Sequence, residues 1–361
     1  MTLLSDTFPA AGLVGVTFHR LNPPRHGWLR RFGHVPREVA FALSAKSAIR
    51  QLRTRGGVDV VLCHGHPVAA LAARPLKRRY GIPYAMVTHG DIFDRPKGTY
   101  DPRLTWFYQR VTGPAYRGAD QVIALSPHMA SLAIRGGATT ERVSVIPNGI
   151  EPAEIGLDET TRQRPREPTG RLELLYVGRL SIEKGVDVLI AAAGLLKASG
   201  VAFRLRIIGS GPEEQRLRSR VDEAELDGYV VFLGPVPRLE LGALYCSADV
   251  VCVPSRSDPL PTVVLEAMAS GRLVLGSKVG GIPFMVQDGQ TGWLVPPGDP
   301  SALAQLILDI SSAPLALTGM SLVARQMVTE RFNWDGIGIR LSEVISRVIE
   351  SNEEYGYLRR A

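Results

Sequence analysis

Short apolar runs alternate with longer amphipathic ones along the whole chain. In the first half, apolar stretches at Val14–Leu21, Asp59–His64, Pro83–Thr88, Gln121–Leu125 and Val143–Ile146 predict strands. Between them Pro36–Arg53, Pro67–Tyr80, Asp101–Arg117 and Pro127–Arg135 carry helical spacing. The second half repeats the rhythm. Its strands are predicted at Leu172–Val177, Phe203–Ile208, Val230–Leu233, Val250–Val253, Leu273–Gly276 and Gly292–Val295, and its helices at Lys184–Ser199, Glu213–Glu225, Leu239–Ser247, Thr262–Gly271 and Ser301–Ile310. Strands made almost wholly of Val, Ile and Leu have no polar face to turn to water. They belong in parallel sheets covered on both sides by the intervening helices. The expected fold is α/β, with two Rossmann-like doubly wound domains at residues 1–152 and 171–330. Leu157–Gly170 has no apolar period, two prolines and many charges, so residues 153–170 are expected to form a surface connector. Residues 331–361 hold an amphipathic run, Ile337–Ile349, whose stripe fits either domain.

Composition narrows the class. The chain has 361 residues, 45% hydrophobic and 21% charged, which is globular material of two-domain size. No apolar run reaches the ~18 residues of a membrane span. The start, MTLLSDTFPAAG, lacks a basic segment followed by an apolar core, so a secretory leader is not expected. Three scattered cysteines, Cys63, Cys246 and Cys252, argue against a disulfide framework and for a reducing, cytoplasmic setting. Charge is uneven. Residues 1–150 hold 20 Lys/Arg and 8 Asp/Glu (+12), whereas residues 151–361 hold 22 and 27 (−5), which together give +7. A basic half suits an anionic surface, a phosphorylated substrate or nothing beyond solvated helix faces. No nucleic-acid-binding motif accompanies it. Trp28-Leu29-Arg30-Arg31-Phe32 interleaves aromatics with arginines, a pattern suited to a peripheral site on the inner membrane face.

Doubly wound folds bind ligands where strand carboxyl ends feed helix amino ends. After Leu172–Val177 comes Gly178-Arg179-Leu180-Ser181-Ile182-Glu183-Lys184-Gly185, which places a planar guanidinium and a point charge within reach of phosphate oxygens. After Phe203–Ile208 comes Gly209-Ser210-Gly211-Pro212. Its glycines admit close approach of a ligand or of a neighbouring loop. After Val250–Val253, the loop Pro254–Pro261 carries Asp258, Leu260 and Pro261. The amides of Thr262 and Val263 then open a helix, where orphan N–H groups and the helix dipole favour an anion. Glu266 lies one turn in among apolar neighbours, so its carboxylate needs a partner.

VGRLSIEKG, IIGSGP, VVFLGPVPRLELGALYCSADVVCVPS and a carboxylate–seven residues–Glu element ending EAMASG, in that order, resemble a retaining glycosyltransferase of the GT-B fold, family four. The resemblance covers most of the chain and is densest from Ala119 to Trp334. It implies two domains facing across a cleft and a nucleoside-diphosphate sugar as donor, with no cofactor and no metal. By this resemblance Arg179 and Lys184 neutralise the donor diphosphate, with Gly178, Gly209 and Gly211 lining its loops. Glu266 holds the ribose and Asp258 the transferred sugar. Leu260, Pro261, Thr262 and Val263 cradle the phosphates, and the stretch around Gly234 faces the base. The family usually has Glu followed by Phe-Gly where this chain has Asp258 and Leu260-Pro261, a departure that bears on donor choice.

In the first half His89 follows a strand end. By the resemblance it contacts the donor sugar. His64, His66, Ser126 and Asn148 also follow strand ends and are expected on the acceptor side, although Ser126 equally suits a helix cap and Asn148-Gly149 a plain turn. Family members open with a strand, a glycine-rich loop and a helix before their second strand. Here Met1–Ser5 matches the end of that second strand, so about one βα unit, on the order of 30 residues, is expected to be missing. The implied activity is transfer of a hexose-type sugar to an acceptor hydroxyl with retention, the acceptor being anionic or lipid-linked. The rival readings are a nucleotide-sugar-binding protein without turnover and a sugar phosphorylase on the same fold.

Overall fold

The computed structural model describes residues 2–5, 17–20, 45–46, 49, 51, 57–64, 69–89, 102–163, 170–312 and 316–358. The segment Trp28–Phe32 and most of the expected helix Pro36–Arg53 lie outside them. In the first lobe β1 (Thr2–Ser5) pairs in parallel with β2 (Thr17–Arg20). Four more strands, β3 (Val61–His64), β4 (Tyr84–Thr88), β5 (Gln121–Ala124) and β6 (Val143–Val145), form one parallel sheet in that order. Helices α1 (Ala70–Tyr80), α2 (Pro102–Gly118) and α3 (Pro127–Arg135) make the crossovers. All five residues of β4 are buried, as a strand covered on both faces requires.

Between the lobes the chain is more ordered than its composition suggests. A 3₁₀ turn spans Pro152–Ile155, a short helix α4 spans Glu159–Gln163, and Leu157, read as surface, is 2% exposed in the core. Ile155 is buried beside it, and two apolar residues among charges hide their anchoring contacts from any periodicity argument.

The second lobe holds β7 (Leu172–Val177), β8 (Phe203–Ile208), β9 (Val230–Gly234), β10 (Val250–Val253), β11 (Leu273–Ser277) and β12 (Gly292–Val295). They form a six-stranded parallel sheet in the order β12-β11-β10-β7-β8-β9. Helices α5 (Val186–Ala198), α6 (Glu214–Glu223), α7 (Leu241–Cys246), α8 (Thr262–Ala269), α9 (Ile282–Met285) and α10 (Pro300–Ser312) cover its faces. The chain winds outward from β7 to β9, then returns to β10 on the other side of β7 and winds the opposite way. The winding reverses between β7 and β10, and at such a switch point a crevice forms beyond the strand carboxyl ends.

Two helices close the chain, α11 (Ala316–Arg331) and α12 (Trp334–Leu358). The apolar pattern does not predict α11, because exposed Leu322 and Val323 blur the stripe formed by buried Ala324, Met327 and Val328. α12 packs on β4 of the first lobe. Its entry is fixed where the Ile150 N–H donates to the Phe332 carbonyl at 2.8 Å. A single apolar cluster joins Val87, Leu125 and Ile146 of the first lobe to Val253, Leu260 and Met268 of the second, with Phe332 and Ile337. Among the described residues no helix is long and apolar enough to cross a membrane.

Candidate active site

The loops after β7 and β10 meet at the switch point. Beyond β7, the Tyr176 hydroxyl donates to the Arg179 carbonyl at 2.8 Å, and a 3₁₀ turn at Ile182–Lys184 ends on Gly185. Gly185 has φ +68°, and a Cβ there would fall on the Pro254 carbonyl, so only glycine lets the loops approach this closely. Arg256 laces them together. Its guanidinium grips both Asp187 oxygens at 2.6 and 2.9 Å and donates to the Ile182 carbonyl at 3.1 Å, while its N–H donates to the Glu183 carbonyl at 2.8 Å. Burial alone would raise the Asp187 pKa, but the Arg256 hydrogen bonds and charge outweigh it and hold the carboxyl below its usual value.

Within this frame Lys184 Nζ donates to Asp258 Oδ2 at 2.5 Å. Asp258 is 4% exposed. The Ser255 hydroxyl lies 3.5 Å from the same oxygen. Behind it, the Gly281 N–H donates to the Asp258 carbonyl at 2.9 Å. Leu260 and Pro261 are buried and lead straight into α8, whose first turn no side chain caps. The amides of Thr262 and Val263 thus stay available beside the ion pair. Further along α8, Glu266 is 3% exposed and accepts from the Tyr245 hydroxyl at 2.7 Å. Arg238, itself exposed, is 3.9 Å from the other carboxylate oxygen. Burial first, then the Glu266 charge, pushes the Tyr245 phenol well above its ordinary pKa, so it stays a donor.

The carboxyl edge of the first sheet faces this crevice. The Ser126 hydroxyl donates to the Pro259 carbonyl at 3.0 Å and accepts the Met129 N–H at 3.4 Å as the amino cap of α3. Ser126 is fully buried, and the structure gives it the helix cap and adds a tie between the lobes. His89 follows the adjacent strand β4. Its Nε2 lies 2.9 Å from His64 Nδ1, which pairs the two rings. Partial burial of both rings, joined for His64 by the neighbouring His89 charge, holds their pKa values below the ordinary imidazole value. His66 lies outside the described residues. Asn148 is half-buried, and the adjoining Gly149 packs on Trp334.

Gly178 follows β7 directly, and its N–H donates to the Ile208 carbonyl at 3.0 Å. Gly209 and Gly211 serve the neighbouring loop. A Cβ on either would strike the carbonyl of Gly178 or Leu180, and the Leu180 N–H donates to the Ser210 carbonyl at 2.9 Å. Their close approach is therefore backbone on backbone. Gly234 has φ +72° and open space beside it. Arg179 is exposed at the crevice loop. Sequence reasoning missed Tyr245, Asp187 and Arg256. A tyrosine in the apolar run before Ser247 was a usable signal, since a buried phenol seeks an acceptor. The Arg256–Asp187 pair, 69 residues apart, left no local trace.

Two doubly wound lobes, facing across a crevice that holds a cation–carboxylate pair beside an uncapped helix, define a GT-B glycosyltransferase architecture. The sequence profile of glycosyl transferases group 1 matches residues 158–326, and that of the glycosyl transferase 4-like domain matches residues 5–149. WcaL of Escherichia coli K12, assigned to colanic acid biosynthesis as a glycosyltransferase, is 32% identical over 342 residues, covering 91% of this chain and 79% of its own. The chain belongs to the glycosyl transferases group 1 family. In fold it is similar to sucrose-phosphate synthase of Thermosynechococcus elongatus (TM-score 0.79, 24% identity, 92% of this chain and 84% of that one). It is also similar to Anabaena HepE, crystallised with UDP-glucose (TM-score 0.73, 20% identity, 92% and 86%).

Proposed function

We propose that the protein transfers a hexose-type sugar, with retention, from a nucleoside-diphosphate sugar to an acceptor hydroxyl. One observation carries the reading: the Lys184–Asp258 pair at 2.5 Å, built from the two loops of the switch point and lying beside the uncapped start of α8. As the sugar bond breaks, the diphosphate leaves with growing negative charge. Fixed cations and amides aimed at that charge lower the barrier. Lys184, Arg179 and the amides of Thr262 and Val263 fill that role, Asp258 receives sugar hydroxyls, and the free lone pairs of Glu266 receive ribose hydroxyls. His89, supported by His64, borders the sugar from the first lobe. Gly234, with open space at its Cα, borders the base. Binding of UDP-glucose by HepE supports a nucleotide-sugar donor for a chain of the same fold. The excess charge of residues 1–150 supports an anionic or lipid-linked acceptor on the inner membrane face.

A thermal-shift screen of nucleoside diphosphates and their sugar conjugates tests this, because a ligand that binds only the native state raises the melting point. The matching nucleotide is expected to stabilise the wild type. Arg179→Ala and Lys184→Ala are expected to lose the shift at the same concentration. A shift unchanged in both variants removes the reading.

A further inference from the structure

A cleft on the far side of the first sheet lies apart from the crevice. It measures about 1080 Å³ and opens at the amino ends of β4, β5 and β6, the sheet edge opposite His89 and Ser126. Four separated parts of the chain bring cations to it: Arg74, Lys77 and Arg78 from α1, Arg117 from the end of α2, Arg142 from the turn before β6, and Arg347 from α12. Two carboxylates share the lining, Asp120 and Glu141, so six positive and two negative charges leave +4.

Asp120 is already committed. It accepts Lys77 Nζ at 2.7 Å and the Tyr84 N–H at 2.9 Å. Some of the cations have ordinary structural work. Lys77 also donates to the Gly118 carbonyl at 2.9 Å, and Arg142 to the Ala119 carbonyl at 3.3 Å, which satisfies chain ends as basic residues near helix carboxyl termini commonly do. Arg78 shares the last turn of α1 with Lys77, but that explanation does not reach Arg74 and Arg347. Arg74 lies before the last turn of α1, Arg347 arrives on a helix some 270 residues later, and none of the three pairs with a carboxylate among the described residues. Like charges gathered in one concavity repel, and a bound anion relieves that repulsion. Arginine forks match phosphate oxygens in pairs. Tyr80, Val344 and Val348 add an apolar wall, which suits a phosphate carried on an organic body.

We propose that this cleft is a second binding site, separate from the crevice, for a phosphate-bearing anion, either a soluble phosphorylated compound or a lipid headgroup. The proposal does not depend on the donor reading, because it uses none of the crevice residues.

Calorimetric titration of the full chain with tripolyphosphate tests it. Binding is expected in the wild type and in Lys184→Ala, and at least tenfold weaker binding in Arg78→Ala/Arg347→Ala, two exposed positions whose loss leaves the melting point unchanged. A parallel arm sediments the proteins with phosphatidylglycerol or phosphatidylcholine vesicles. Capture by the anionic vesicles alone, lost in the double arginine variant, assigns the phosphate to a lipid headgroup. Tripolyphosphate binding without vesicle capture assigns it to a soluble compound. Equal affinity in wild type and double variant, loss only in Lys184→Ala, or no binding of either probe overturns the site.

Discussion

Glu266 is a buried carboxylate whose short partner is a neutral phenol rather than a cation. An ionised carboxylate offers about four lone-pair sites, and Tyr245 takes one. Replacing Glu266 with Ala strands the Tyr245 hydroxyl in a dry site, which costs about 1–3 kcal/mol. Glu266→Gln keeps an acceptor and is expected to lose less; urea unfolding of both variants measures the difference. The histidine pair offers a second residue-level test. Because the His89 charge helps hold the His64 pKa down, His89→Asn is expected to move the His64 titration up towards 6.5, read from imidazole proton resonances. A histidine whose folded value lies below its unfolded one binds fewer protons when folded. Its contribution is therefore complete above about pH 6.5 and declines as pH falls from there towards the lowered folded values. Both rings are only partly buried and keep contact with solvent, so the effect on stability is a screened one. Lys184, Asp258 and Glu266 were legible as candidates because each comes soon after a strand end of the second sheet, in the loop or in the first turns of the next helix. Their partners were not, since a contact across 74 residues, as between Lys184 and Asp258, has no period to betray it.

At the level of elements, the loops after β7 and β10 behave as one unit. Gly185→Ala forces a Cβ onto the Pro254 carbonyl at a residue with φ +68°, so a loss greater than about 1 kcal/mol is expected from denaturant melts. All six strands of the second sheet were readable, because buried parallel strands are largely apolar on both faces. Helix α11 was not, because two exposed aliphatic residues, Leu322 and Val323, obscure its buried face. The glycines of Gly209-Ser210-Gly211 were legible as sites of close approach. What approaches them, another loop's carbonyls, is decided by strand order, and that order does not follow from any one segment.

For the whole molecule, the two lobes share a core and a hydrogen bond. Ser126 both caps α3 and holds Pro259, so Ser126→Ala is expected to cost about 0.5–2 kcal/mol as a lost cap, with the interlobe bond added. Calorimetry is expected to record a single transition for both lobes, since Val87, Leu125, Val253 and Leu260 lie in one apolar cluster. Separate transitions would contradict that coupling. The alternation of strands and helices made two lobes legible, but not the surface on which they meet. The backbone passes between the lobes twice, once near Ile150 and once near Asn333, and the two passages lie side by side as an isolated β-bridge joined by the Ile150 to Phe332 hydrogen bond. Two strips fastened edge to edge flex readily about the line along which they run together and resist torsion across it. Any parting of the lobes is thus expected to follow that line, like the covers of a book, with α12, packed on β4, moving with the first lobe.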